Sequence, residues 1–249
     1  EAFFEKHPFI DLAVHGAGEK PFVEILQHGL SGDWNKTPSL TFRVNNPFFR
    51  LPEAGSENMR PLPGFEENFR QTELAPSFKE LTEVPSPYLS GTFDKLMASN
   101  PEERWIALWE TDRNCPFSCT FCGWGLLEKK PIYWPIEQVF REIDWFAKQR
   151  IEFVFCANAN FFLTPRDLDI ARYVAETKQK TGYPQRLSVQ DAKNRAENVF
   201  QGRMILERAG LNTGVVISLQ SVDPGTLEII RRDNIKLEAY QELQRRFRA

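Results

Sequence analysis

The sequence predicts an α/β fold built on a parallel sheet with helices outside. Three observations carry that expectation. From residue 105 onward, short apolar runs alternate with amphipathic stretches of helical period. Several of those stretches are marked by caps, first-turn prolines or a closing glycine. The composition, 41% hydrophobic and 26% charged over 249 residues, is that of a globular chain with apolar material for one large domain or two smaller ones.

Taken in order, "FIDLAV" (9–14) reads as a strand, "HGAGE" (15–19) as a glycine turn and "KPFVEILQHGL" (20–30) as a helix. Pro21 suits its first turn, and Phe22, Ile25 and Leu26 share a face. Prolines then recur and periodicity weakens up to residue 104, so this part is expected to be a connector with short strands such as "SLTFRV" (39–44). The regular pattern opens with the strand "WIALWET" (105–111). A helix follows over 135–150, with Val139, Phe140, Ile143, Phe146 and Ala147 on one face. Next come a strand over 151–162 and a helix over 164–180, started by Thr164, Pro165 and Asp167. "RLSVQ" (186–190) is the third strand, and 196–210 a helix closed by Gly210. "TGVVISLQS" (213–221) is expected as the fourth strand. A helix capped by Asp223 covers 223–232, and a last helix 237–247 aligns Leu237, Tyr240, Leu243 and Phe247. Strand–helix alternation of this kind makes a parallel sheet, and in barrel-like βα folds chemistry sits at the C-terminal ends of the strands.

The charge balance excludes several function classes. A net charge of −3 argues against a general nucleic-acid-binding surface. No apolar run approaches the roughly 18–20 residues that span a bilayer, and the first residues lack the basic start and apolar core of a signal peptide. A cytoplasmic, reducing compartment is the expectation, and there clustered cysteines are more often metal ligands or redox groups than disulfides.

Three of the four cysteines do cluster. "NCPFSCTFCGWG" (114–125) sets Cys115, Cys119 and Cys122 in a C-x3-C-x2-C spacing directly after the first strand of the regular region. Three thiolates can hold three irons of a cubane cluster and leave the fourth iron open for a substrate or cofactor. A structural zinc site needs a fourth ligand, and all three histidines lie within the first thirty residues. Zinc and a disulfide stay as alternatives; Cys156 falls in a separate run that reads as buried core.

This spacing, with the aromatic Phe121 before the last cysteine and at the end of a first βα strand, resembles the radical SAM superfamily over about 105–249. The resemblance implies a partial, TIM-like radical SAM barrel of four βα units over 105–249. It also implies a 4Fe–4S cluster on the three cysteines, with S-adenosylmethionine (SAM) chelating the open iron. Reductive cleavage there yields methionine and a 5′-deoxyadenosyl radical. Phe121 matches the aromatic whose backbone contacts adenine. Asn158 and Asn160, in "CANANFF", stand where the family usually places a glycine-rich segment with an acidic residue for the SAM amino group; an asparagine carbonyl accepts the same hydrogen bond. "SVQDAKN" and "SLQSVDPGTLEIIRRDN" resemble the later strand ends, so Gln190, Ser218 and Gln220 are expected at the ribose or methionyl carboxylate. Arg232 is suited to that carboxylate, with a solvated surface position as the alternative.

The second of those segments resembles the subgroup with an N-terminal cobalamin domain. "FIDLAVHGAGEKPFVEIL" resembles the last strand, loop and helix of a Rossmann-type cobalamin-binding domain, and "VPSPYLSGTFD" (84–94) its connector to the barrel. The resemblance implies a C-terminal remnant of that domain over 1–35 and a connector over 36–104. Gly16, Gly18 and Glu19 are then expected at the cobalamin tail. It further implies an external one-electron reductant such as flavodoxin or ferredoxin, and methyl transfer or related chemistry. A radical SAM enzyme without cobalamin and a non-enzymatic zinc or iron–sulfur module remain as other readings. Four βα units where the family usually has six, and the lack of a D-x-H-x-x-G segment, make the sequence read as a piece of a longer protein.

Overall fold

The structure, a computed structural model, describes residues 2–28, 34–44, 69–126, 129–212 and 214–248. The chain divides into two compact units, residues 1–79 and 80–249. Residues 29–33 and 45–68 of the expected helix end and connector, and Thr213 of the expected fourth strand, lie outside the described residues.

In the first unit, a short helix α1 (Ala2–Lys6) precedes β1 (Leu12–Val14) and α2 (Glu19–His28), so the strand–turn–helix is there with a shorter strand than expected. Alternation in β2 (Leu40–Arg43) buries Leu40 and Phe42 together, and these join Ile25 and Trp34 in one core against Leu12 and Val14. The core takes Pro21 and Ile25 from α2 and leaves Phe22 and Leu26 exposed, because only the row at i, i+4 reaches the sheet. β2 pairs antiparallel with both β1 and β3 (Phe69–Gln71). The sheet is therefore antiparallel among the described residues, and the expected connector supplies two of its strands.

The second unit carries the parallel sheet. β4 (Ile106–Trp109), β7 (Phe153–Cys156) and β8 (Arg186–Ser188) lie in that order, all parallel. Between β4 and β7 runs a small antiparallel ribbon of β5 (Asp112–Arg113) and β6 (Ile132–Tyr133). The crossovers are α4 (Ile136–Lys148) and α5 (Pro165–Thr181); α6 (Ala196–Arg208) follows β8 and packs beside α5, which packs beside α4. α4 buries Val139, Ile143, Phe146 and Ala147 as its periodicity predicts, while Phe140 stacks on Tyr173 at 4.1 Å between ring centroids. The Asp167 carboxylate accepts hydrogen bonds from the Thr164 backbone N–H (2.9 Å) and hydroxyl (3.1 Å), which fixes the start of α5. Gly202 on α6 lies against the Phe162 ring; a Cβ there would stand 2.1 Å from it.

The connector segment 84–94, which runs into the short helix α3 (Asp94–Ala98), meets this sheet through Tyr88. Its ring packs on Trp145 and Phe146, and its hydroxyl donates to the Leu108 carbonyl. Burial, reinforced by the Glu142 carboxylate, pushes the Tyr88 phenol up to about 12.

The fourth strand is a correction. Residues 214–221 make no ladder with β8 among the described residues. Gly214 turns the chain at φ 113°, and the Val216 N–H donates to the Asp191 carboxylate (3.2 Å) where a strand carbonyl would stand. Among the described residues the sheet therefore has three parallel strands, followed by α7 (Pro224–Ile229) and α8 (Leu237–Arg248). Asp223 caps α7 by accepting from the Thr226 N–H at 2.7 Å. From the expected stripe of α8, Leu243 is buried, the Phe247 ring packs at a tilt against Phe200 and Leu237 stays exposed. Ile106 and Leu108 alternate with the buried Ala107 and Trp109, so the strand face away from the helices is bare along β4. Among the described residues no helix is long and apolar enough to cross a membrane.

Candidate cysteine centre

The site begins where β4 ends. Trp109 is buried and donates its indole N–H to Glu142 on α4 (2.7 Å), while its carbonyl accepts from Ala157 after β7 (2.7 Å). One step further, both polar ends of the Asn158 side chain hold the neighbouring strand end. Its Oδ1 accepts from the Thr111 N–H (2.9 Å), and its Nδ2 donates to the Thr111 hydroxyl (2.6 Å) and the Asp112 carboxylate (2.5 Å). Asn158 thus welds the ends of β4 and β7 together from its buried position.

The chain then leaves the sheet through Asn114, at φ 75°, a left-handed conformation that asparagine tolerates. Its Nδ2 donates to the Lys130 carbonyl (3.0 Å), which helps the β5–β6 ribbon close the base of the cysteine loop. Within the loop Cys115 and Cys119 are buried and Cys122 is half-buried, and all are free thiols. The Cys122 N–H donates to the Cys119 carbonyl (3.1 Å), and the Thr120 N–H to the Ile230 carbonyl at the end of α7 (3.0 Å).

Among the described residues two N–H donors address the sulfurs. Asn160 Nδ2 stands 3.2 Å from Cys115 Sγ, and Arg232 Nη1 stands 4.0 Å from Cys119 Sγ. Arg232 is not the solvated arginine that the sequence allowed; it is 6% exposed. Its other hydrogen bonds go to the Asn234 side chain (3.1 Å) and to the Ser218 carbonyl. Among the described residues no three His, Cys, Asp or Glu side chains stand gathered as a metal site. The donor set itself, three soft thiols on one eight-residue loop with N–H groups at two of the sulfurs, fits an iron–sulfur centre.

Beside Asn160 lies a polar pocket that the sequence did not announce. A small cavity is lined in part by Asp112, Asn114, Tyr133, Asn160, Leu163 and Asp167. Asn160 Oδ1, Asp167 Oδ1 and Arg166 Nη1 are buried without a hydrogen-bond partner. Burial first, then the Asp167 carboxylate, push Asp112 up to about 7 against the pull of Arg166 and Asn158. Burial raises Asp167 as well, opposed by its hydrogen bonds from Thr164. The only sequence signal was an acidic residue three before the first cysteine; the partner carboxylate read as a helix cap.

The remaining expected residues scatter. Phe121, within the loop, is 54% exposed. Gln190, Ser218 and Gln220 have exposed side chains; the Gln190 carbonyl accepts from the Phe161 N–H (2.7 Å), and Ser218 contributes its carbonyl to Arg232. Cys156 closes β7, fully buried, with its thiol raised well above the ordinary range by burial. In the first unit, Gly16 takes a φ of 74°, left-handed backbone that glycine adopts without strain, with open space where a Cβ would be. The Gly18 carbonyl accepts from Phe22 (2.9 Å), and Glu19 is the first residue of α2.

Relatives of the chain carry informative names. It is 38% identical over 250 residues to 2-(S-pantetheinyl)-carbapenam-3-carboxylate methyltransferase of Streptantibioticus cattleyicolor, an alignment spanning 98% of this chain and 34% of that protein. It is 37% identical over 252 residues to TokK of Streptomyces tokunonensis, a cobalamin-dependent radical SAM methyltransferase, across 99% of this chain and 34% of the relative. The chain therefore spans about a third of the length of the curated relatives it matches. No protein-family profile matches it. In fold it is similar to TsrM, a radical SAM methyltransferase of Kitasatospora setae solved with cobalamin and a 4Fe–4S cluster bound. The TM-score is 0.56 and the identity 18%, over 99% of this chain and 45% of that one.

Proposed function

We propose that this chain, a member of the radical SAM superfamily with a cobalamin-dependent methyltransferase among its relatives, is the cluster-binding part of a cobalamin-dependent radical SAM methyltransferase. The observation that carries this reading is the loop of free thiols at the C-terminal end of β4, where βα enzymes keep their chemistry. Cys115, Cys119 and Cys122 hold a 4Fe–4S cluster. The unpaired, buried Asn160 Oδ1 accepts from the SAM amino group, and Asn158 positions it by locking the two strand ends. Phe121 offers its backbone to adenine, and Gln190, Ser218 and Gln220 face the rest of the cofactor. When bound, cluster and SAM supply one-electron cleavage chemistry and cobalamin carries the methyl group. Gly16, Gly18 and Glu19 belong to the cobalamin site, where the left-handed turn at Gly16 lets backbone approach a ligand closely. The parallel sheet is a partial barrel, and the strand–loop–helix of residues 12–28 is the last element of a Rossmann-type domain. The electron comes from an external carrier of the flavodoxin or ferredoxin kind.

The test is electron paramagnetic resonance of the anaerobically reconstituted, reduced protein with and without SAM. A 4Fe–4S signal that shifts on SAM addition is expected. A folded sample carrying zinc and no cluster refutes the proposal. The first substrate to assay is the pantetheinyl carbapenam for which one relative is named.

A further inference from the structure

Arg232 is a buried cation of an unusual kind. It comes from the turn after α7, more than a hundred residues beyond the cysteine loop, and is 6% exposed. Burying a guanidinium is costly unless an anion and hydrogen bonds compensate it. Two neutral oxygens, Ser218 O and Asn234 Oδ1, take part of its hydrogen-bonding capacity. Among the described residues it forms no salt bridge: the adjacent Asp233 is engaged by Asn194 (2.9 Å), and the buried carboxylate Asp191 belongs to Arg203. The group it does face is Cys119 Sγ, with Nη1 at 4.0 Å. On the other side of the loop Asn160 Nδ2 reaches Cys115 Sγ at 3.2 Å. The loop is tied to the same turn by the Thr120 N–H on the Ile230 carbonyl, two residues before Arg232.

We infer that Arg232 and Asn160 set the reduction potential of the cluster, with Arg232 as the counter-charge of its thiolates. The inference rests on the cluster reading above and departs from the role expected for Arg232 at a SAM carboxylate. Three thiolates on a cluster core of charge +2 leave a net charge of −1, and one electron from the external carrier makes it −2. A fixed cation and N–H donors at the sulfurs stabilise the second state more than the first, so they raise the potential and ease electron entry. A single charge at a buried sulfur has the larger effect; the neutral Asn160 amide has the smaller.

The experiment is a redox titration of the reconstituted holoprotein, first without SAM and then with it, comparing wild type with Arg232→Met, Arg232→Lys and Asn160→Leu, after iron and sulfide contents have been matched. For Arg232→Met the midpoint is expected to move negative, so that the reduced fraction at a fixed poise falls about tenfold, a shift of about 59 mV for one electron. Asn160→Leu moves it the same way by less, and Arg232→Lys holds it near wild type. A cluster-bearing Arg232→Met protein with an unchanged midpoint overturns the inference while leaving the proposed function standing. A shift seen only with SAM present also overturns it, since Arg232 would then serve the SAM carboxylate. Should Arg232→Met not hold its cluster, an unchanged midpoint in Asn160→Leu overturns it. A wild-type protein that binds no cluster refutes the proposed function instead.

Discussion

Cys156 and the three loop cysteines share a side chain and differ in everything around it. Cys156 is sealed at the end of β7 and its thiol is held protonated by burial, which suits packing and opposes ligation. The loop thiols sit on an irregular turn with N–H donors at two of their sulfurs. Replacing any one of Cys115, Cys119 or Cys122 by alanine should abolish cluster-dependent SAM cleavage, whereas Cys156→Ala should retain the cluster; iron and sulfide per chain decide it. Asp112 gives a second prediction at this scale. Its folded value of about 7 lies above the ordinary 3.8, so between those values the folded protein holds a proton that the unfolded chain has lost. Its contribution to stability is complete below pH 3.8 and is lost as pH rises through about 7. The slope is roughly 1.4 kcal/mol per pH unit at its steepest. Asp112→Asn keeps an acceptor for Asn158 and should flatten that slope in urea melts of the metal-free protein between pH 4 and 8.

Elements form where local signals agree with packing and fail where a side chain takes over a backbone bond. α5 is the first case: Pro165 in its first turn and the Asp167 carboxylate at Thr164 fix its start. Gly182, at φ 84°, ends it. The segment 214–221 is the second: alternating apolar residues read as strand, yet the Asp191 carboxylate captures the Val216 N–H. α6 shows a third dependence, because Gly202 leaves room for the Phe162 ring, whose own backbone is at φ 69°. Gly202→Ala places a methyl group inside that ring's space and should cost about 1–3 kcal/mol, read as a lower urea midpoint with the unfolding slope unchanged.

At the scale of the molecule, a buried ion pair connects the parts of the second unit that the sheet alone leaves apart. Arg203 on α6 makes three hydrogen bonds to Asp191 after β8, and reaches Asn212 (2.9 Å) and the Val189 carbonyl (3.1 Å). Asp191 in turn anchors Val216, and two residues on Ser218 holds Arg232 at the cysteine loop. Arg203→Met leaves a buried carboxylate unpaired, with an expected loss of about 3–5 kcal/mol in equilibrium unfolding. By itself the sequence determined the local and periodic features: the three-cysteine loop after β4, the helices α4, α5 and α6, and the strands that alternate with them. These depend on residues close in the chain, where spacing, caps and apolar period are readable. Only the tertiary structure decided that residues 214–221 leave the ladder. It alone buried Arg232 against Cys119, and made Asp112 and Asp167 neighbours in one polar pocket. Those outcomes depend on groups 25 to 113 residues apart competing for the same hydrogen bonds and the same desolvated space, and no local pattern records the winner of that competition.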